Sequence, residues 1–215
     1  MNVVQQSHKV GSDGIFIDAD VVVPPNARGV VLFAHGSGSS RHSPRNKYVA
    51  AELQETGLAT VLADLLTHEE EIEDSRTGSL RFDIELLTSR TVSLIDWTSG
   101  YEPTADLGVG LFGASTGAGA ALSAAALRED RVKAIVSRGG RPDLAGEYLH
   151  RVRRPTLLIV GGNDPHVLEL NAHALDELPG EAQLIVVPRA SHLFEEPGAL
   201  EEVARLTRDW FVKHL

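Results

Sequence analysis

The stretch that decides the fold is Asp106-Leu-Gly-Val-Gly-Leu-Phe-Gly-Ala-Ser-Thr-Gly-Ala-Gly-Ala120, centred on Gly113-Ala-Ser-Thr-Gly117. A short apolar segment runs into a turn flanked by glycines, and an Ala-rich segment from Ala118 to Leu127 leaves it with helical character. Strand, sharp turn and helix together form the setting that a G-x-S-x-G nucleophile elbow requires. They predict Ser115 at the tip of the turn in a strained backbone conformation, its Oγ pushed clear of the sheet edge. Gly113 and Gly117 are expected where the two arms pass too closely for a Cβ. The helix aims its first free N–H groups and its positive dipole end at the same spot, which suits an oxyanion. The overlapping Gly108-Val-Gly-Leu-Phe-Gly113 also spells the dinucleotide pattern G-x-G-x-x-G. In that pattern the glycines belong to the turn and the helix start, whereas Gly108 and Gly110 fall inside the strand, so the match is read as an accident of a glycine-rich strand.

Working outward, similar apolar runs occur at Val30–Ala34, Ala59–Ala63, Leu107–Phe112, Val132–Val136, Thr156–Val160 and Ala182–Val187. Continuous apolar runs of this length fit strands buried on both faces of a parallel sheet. Helical candidates lie between them, and the last is the clearest: from Gly198 to His214, Leu200, Val203, Leu206, Thr207, Trp210 and Phe211 fall on one stripe with charges opposite. Upstream, Gly11-Ser-Asp-Gly14 separates two strand-like segments within residues 3–23 and marks a hairpin. The expected architecture is α/β: a mostly parallel central sheet with an N-terminal antiparallel hairpin and helices on both faces, in a single domain over residues 1–215. The acidic run Glu69-Glu-Glu-Ile-Glu-Asp74 is read as a solvated loop within the long connection Leu65 to Leu80, which leaves a strand's C-terminal end and is placed to wall a pocket.

Composition narrows the function. A chain of 215 residues with 42% hydrophobic and 23% charged residues describes an ordinary globular protein with a sizeable core. A formal net charge of −10 argues against a general nucleic-acid binder. The absence of cysteine excludes a disulfide framework, a thiolate nucleophile and a Cys-ligated zinc site, and fits a reducing cytoplasm. No run approaches the length of a membrane span and the N-terminus has no apolar signal segment, so no membrane partner is expected. No metal or other cofactor is implied; the expected partner is a small-molecule ester, with the protein a monomer or homodimer.

A serine hydroxyl needs a base to take its proton, and the base works best when a carboxylate orients it. Asp164, in Gly161-Gly-Asn-Asp-Pro165, follows the strand ending at Val160, and His192, in Arg189-Ala-Ser-His192, follows the strand ending at Val187. Ser115, Asp164 and His192 thus come in the order Ser, acid, His, each just past a strand end on one edge of one sheet. Of the nine histidines, His166 is the rival to His192; its place before a helix near Leu168 suits a loop or cap residue better. His35-Gly-Ser-Gly-Ser-Ser40 follows another buried strand, and such a loop turns a backbone N–H toward the nucleophile. The Ser37 and Thr116 N–H groups are the expected oxyanion donors, with His35 packed beneath the loop. A phosphate cradle is disfavoured because the Lys of G-x-x-x-x-G-K-[ST] is missing.

On these motifs, together with Arg81-Phe-Asp-Ile and Ser137-Arg-Gly-Gly-Arg-Pro-Asp143, the chain from Val30 to Leu215 resembles a small α/β-hydrolase of the dienelactone hydrolase-like family. The resemblance implies a serine-dependent hydrolase with Ser115, Asp164 and His192 as its triad. Dienelactone hydrolases proper use a cysteine nucleophile, so their particular lactone chemistry is not implied for a chain without one. Only Ser137 to Arg154 separates two strands where many α/β-hydrolases insert a cap, so no cap domain is expected. The pocket is then shallow and open, bordered by His42, Leu65 to Thr67 and Arg138 to Arg141, and suited to small carboxylic esters, with lactones or thioesters as relatives of that chemistry. Arg138 and Arg141 are candidates to bind a substrate carboxylate, or else are paired with acids such as Asp143 and Glu147. Two other readings remain open: acyl transfer to peroxide or another acceptor through the same triad, and a non-catalytic ligand receptor on the same fold.

Overall fold

The computed structural model describes residues 3–215; residues 1 and 2 of the expected domain lie outside the described residues. Eight strands form one sheet: β1 (Val4–Ser12), β2 (Ile15–Val23), β3 (Gly29–Ala34), β4 (Ala59–Ala63), β5 (Gly108–Ala114), β6 (Val132–Arg138), β7 (Thr156–Gly161) and β8 (Ala182–Val187). Their spatial order is β1-β2-β4-β3-β5-β6-β7-β8. The hairpin β1–β2 turns at Asp13-Gly14, both with positive φ (48° and 84°), the backbone that a two-residue hairpin requires. β2 runs antiparallel to β4, and every pairing from β4 to β8 is parallel. Fold class and strand positions agree with the sequence reading; β5, β6 and β7 extend one or two residues beyond their apolar runs.

Both faces of β3 to β7 are covered, which explains their apolar character, whereas the edge strand β8, expected to be buried on both faces, is only part-buried, with Gln183 and Val186 exposed. On one side α1 (Pro44–Glu55) and α6 (Ala199–His214) close over Phe33, Phe112, Val136 and Ile159. On the other, α3 (Ile84–Gly100), α4 (Thr116–Leu127) and α5 (Pro165–Glu177) cover Leu32, Leu111, Ile135 and Leu158. The glycines inside β5 make room for α6: a Cβ on Gly110 would stand 2.7 Å from the Phe211 ring. That packing need accounts for the apparent dinucleotide fingerprint. Among the described residues, no helix is long and apolar enough to cross a membrane.

Two features position the site. β3 has β4 on one side and β5 on the other, so the chain reverses direction across the sheet between β3 and β5, where the carboxyl ends of parallel strands open a crevice. The loop at His35–Ser40 and the turn at Ser115 both leave the sheet there. The acidic run is not a loop but the helix α2 (His68–Thr77). Thr67 caps it with a reciprocal capping box: the Thr67 hydroxyl accepts from the Glu70 N–H and the Glu70 carboxylate accepts from the Thr67 N–H. Glu69, Glu70 and Glu71 in its first turn complement the dipole, so the negative charge that argued for a loop instead stabilises a helix start. Between β6 and β7, Pro142–Arg151 forms short 3-10 turns.

Candidate active site

Ser115 joins β5 to α4 at φ 50° and ψ −122°, a conformation that costs a non-glycine residue about 1–3 kcal/mol and that only surrounding bonds can hold. Those bonds are present: the Ser115 N–H donates to the Arg138 carbonyl (3.3 Å), and its own carbonyl accepts from the N–H groups of Ala118 (3.1 Å) and Arg141 (3.0 Å). Gly117 is obligatory, since a Cβ there would lie 2.3 Å from the Ala34 carbonyl oxygen and 2.4 Å from that of His35. A Cβ on Gly36 would meet the Ser115 Cβ at 2.9 Å, so the loop after β3 lies against the elbow.

The acid and the histidine meet as their strand-end positions require. His192 Nδ1 is 2.7 Å from Asp164 Oδ2. Asp164 is also the N-cap of α5, where Oδ1 accepts from the Val167 N–H at 3.5 Å. One oxygen is thus fixed by the helix and the other orients the ring, leaving Nε2 to face away from the carboxylate. No hydrogen bond joins the Ser115 hydroxyl to His192; catalytic hydrogen bonds of this kind tighten in the Michaelis complex. His166 is exposed in the first turn of α5, on the side expected for a cap residue rather than a base.

The other sequence-predicted residues divide. Thr116 is the first residue of α4, so its N–H has no intrahelical carbonyl to bond. The Ser37 N–H, expected to be free for an oxyanion, donates instead to Thr116 Oγ1 at 3.1 Å, with the two hydroxyls 3.2 Å apart. His35 packs beneath the loop: Nδ1 donates to the Gly36 carbonyl (3.0 Å) and Nε2 accepts from the Leu65 N–H (3.0 Å). That pair of bonds fixes a neutral ring, and burial pushes its pKa down accordingly.

Four expected substrate contacts are corrected. Leu65 is fully buried in the core, and its neighbour Leu66 lines the cavity described below instead. His42 is exposed but faces a separate surface cleft with Asp20, Arg41 and Lys47. Arg141 is spent on a bidentate pair with Asp143 (2.8 and 2.7 Å). Arg138 is only 7% exposed, its guanidinium 5.8 Å from the centre of the Phe194 ring; burial, with Arg45 adding like charge, brings its pKa down to about 10. Its side chain follows the parity of Val136 onto the α1/α6 face, away from the crevice.

The pocket has the expected wall in the connection from Leu65 to Leu80, through Leu66, Glu71, Asp74 and Ser75, but not the expected borders at His42, Arg138 and Arg141. A cavity of about 340 Å³ opens beside the elbow, between the Gly36–Ser40 loop with Thr116 on one side and Glu71, Asp74, Ser75 and Arg81 on the other. Arg81 is tied to Asp74 three times: its backbone N–H to Oδ1 (3.0 Å), Nε to Oδ2 (2.6 Å) and Nη2 to the carbonyl (3.1 Å). Glu71, Asp74, Ser75 and Arg81 were not picked out by sequence reasoning. The signal that could have found them is Thr67-x-x-Glu70, which marks a helix start and hence an ordered wall.

With this geometry in place, the likenesses to known proteins are informative. Residues 17–211 match the family model described as the dienelactone hydrolase family. A solved structure of a dienelactone hydrolase from Anabaena variabilis ATCC 29413 is 55% identical, covers 100% of both chains and superposes with a TM-score of 0.97. Est1E from Butyrivibrio proteoclasticus shares the fold at 17% identity and a TM-score of 0.81, over 96% of this chain and 98% of its own. Two proteins of Mycobacterium tuberculosis (strains CDC 1551 / Oshkosh and ATCC 25618 / H37Rv), each provisionally named a phosphoribosyl transferase, are 60% identical over 91% of this chain. The chain spans 43% of the length of those two relatives. An α/β-hydrolase sheet, a serine on the strand-to-helix turn and a match over nearly the whole length lead to one conclusion: this chain belongs to the dienelactone hydrolase family.

Proposed function

We propose that the protein is a serine hydrolase of small carboxylic esters, with Ser115 as nucleophile, His192 as base and Asp164 as the carboxylate that orients it. The observation that carries this reading is the strained Ser115 turn on the same sheet edge as a His192–Asp164 pair at 2.7 Å. His192 Nε2 takes the Ser115 proton as Oγ attacks the ester carbonyl. The oxyanion receives the Thr116 N–H at the start of α4, and the Ser37 N–H joins once the Thr116 hydroxyl swings aside. His192 then passes its proton to the leaving alcohol, and water activated by the same ring releases the acid from the acyl-enzyme.

The phosphoribosyl transferase name of the M. tuberculosis relatives belongs to proteins of which this chain spans 43%, and the cavity here does not suit that chemistry. Two carboxylates and one guanidinium line it, the opposite of what a pyrophosphate needs. The test is hydrolysis of 4-nitrophenyl acetate together with labelling by a fluorophosphonate. Wild type is expected to do both, and a folded Ser115→Ala variant to lose both, with turnover down by about 10⁴-fold or more. Turnover retained by Ser115→Ala would remove Ser115 from the mechanism, and a wild type inert to the probe would favour a ligand receptor.

A further inference from the structure

The charges around the cavity do not cancel. Arg81 is neutralised by Asp74, which is 4% exposed and takes up Nε, Nη2 and the backbone N–H. Arg81 Nη1 carries no hydrogen bond and lies 4.0 Å from where a Cβ on Gly38 would be, so two N–H donors stay directed at the cavity. His35 is held neutral by its two backbone bonds. Asp64, behind this wall, is paired with Arg41. Glu71 has no ion-pair partner among the described residues and leaves the cavity with one uncompensated negative charge. Burial, then the neighbouring Asp64, push its carboxyl above the usual range, and the more distant His68, Arg41 and His42 offset this only in part. The hydroxyls of Ser37, Ser39, Ser40, Ser75 and Thr116 complete a lining able to donate and accept.

We propose that this cavity is the subsite for an uncharged, hydroxyl-bearing part of the ester, recognised by Arg81 Nη1 and closed to anionic groups by Glu71. The proposal rests on Ser115 being the nucleophile, because the Gly36–Ser37 loop and Thr116 connect the cavity to that residue. A substrate carboxylate would find no free cation here, since Arg138 is buried on the other face and Arg141 is bound to Asp143. A hydroxyl accepts from Nη1 and donates to a serine or to Glu71 without adding charge.

The experiment compares two size-matched ester sets. In one the alcohol varies: propyl acetate, glycerol monoacetate and acetoxyacetate. In the other the acyl group varies: methyl butyrate, methyl 3-hydroxybutyrate and monomethyl succinate. In at least one set, kcat/KM is expected to fall from the hydroxylated through the apolar to the anionic member. Glu71→Gln should raise the anionic-to-apolar ratio about tenfold, the size of one charge repulsion across a pocket of this width. Arg81→Gln should erase the advantage of the hydroxylated member. An anionic ester that is the best substrate in both sets, or a ratio unmoved by Glu71→Gln, would overturn the proposal. Hydrolysis of 4-nitrophenyl acetate, read separately, reports on the nucleophile alone. If no ester is turned over, the serine reading falls, and calorimetric binding of the same esters to Ser115→Ala still reads the charge preference of the cavity.

Discussion

The elbow and the α2 wall face each other across one cavity, yet they are held by different means. Ser115, Asp164 and His192 follow the ends of parallel strands of one sheet; the elbow is fixed by backbone hydrogen bonds and by contacts so close that Gly117 has no room for a Cβ. The wall is an exposed acidic helix, held by a capping box, by the Arg81–Asp74 pair and by Arg90, which reaches Glu70 at 2.9 Å. Chemistry at a carbonyl tolerates little displacement, and backbone contacts in a close-packed sheet do not drift when a surface side chain changes. Side-chain contacts along a helix can change one at a time, so a wall of this kind can be altered without disturbing the turn at Ser115.

Breaking each region should therefore look different. Asp164→Asn keeps an oxygen to cap α5 but loses the carboxylate that orients His192, so kcat should fall about 10³–10⁴-fold while the thermal midpoint stays near that of wild type. A large loss of stability instead would make the cap its main role. Gly117→Ala drives a methyl into the Ala34 and His35 carbonyls and should cost more than about 4 kcal/mol, read as a collapsed urea midpoint together with lost fluorophosphonate labelling. Asp74→Ala frees Arg81 and should lower the melting temperature by about 5 °C, while Ser115 continues to react with the probe. Lost labelling there would mean that wall and elbow are one unit.

Two smaller effects sharpen the contrast. His35 has its pKa lowered by burial, so above about pH 6.5 the folded and unfolded states are both neutral and no stability depends on it. Below that pH the unfolded chain binds the proton first, and stability falls; His214, lowered in the same direction by burial, adds to the slope. The urea midpoint should drop between pH 7.5 and 5, less steeply in His35→Asn; an unchanged slope would mean that the ring is not held neutral. Thr67→Ala, at the cap of α2, should cost about 1 kcal/mol, measured as a shift in the urea midpoint.

The sequence made the elbow legible residue by residue and the wall only as a stretch of chain, for the same reason. A turn that must sit at φ 50° between a buried strand and a helix permits few residues, and Gly113-Ala-Ser-Thr-Gly117 states those restrictions locally. Asp164 and His192 were found because strand ends are marked by apolar runs that stop. The wall depends on which way α2 presents Glu71, Asp74 and Ser75 once Thr67 caps it, and on Arg81 folding back to Asp74 seven residues earlier; charge content alone reads equally well as solvated loop. Arg138 misled because adjacency to the nucleophile strand says nothing about which face a side chain takes. Register decides that, and it sends Arg138 beneath Phe194.

The reversal of strand order beside β3 also bears on how the protein comes to be active. β3 pairs with β5, from Gly29 with Gly108 to Ala34 with Gly113, across a long stretch of intervening chain. Such pairing is entropically dear and slow to form, because the loop must close before any contact rewards it. The bonds that hold Ser115 at its strained φ come from Arg138 and Arg141, further still along the chain. The turn therefore has no reason to exist as a local fragment. During refolding, reactivity of Ser115 should appear only with the last stage of sheet assembly, which makes a labelled serine a clock for completion of the fold.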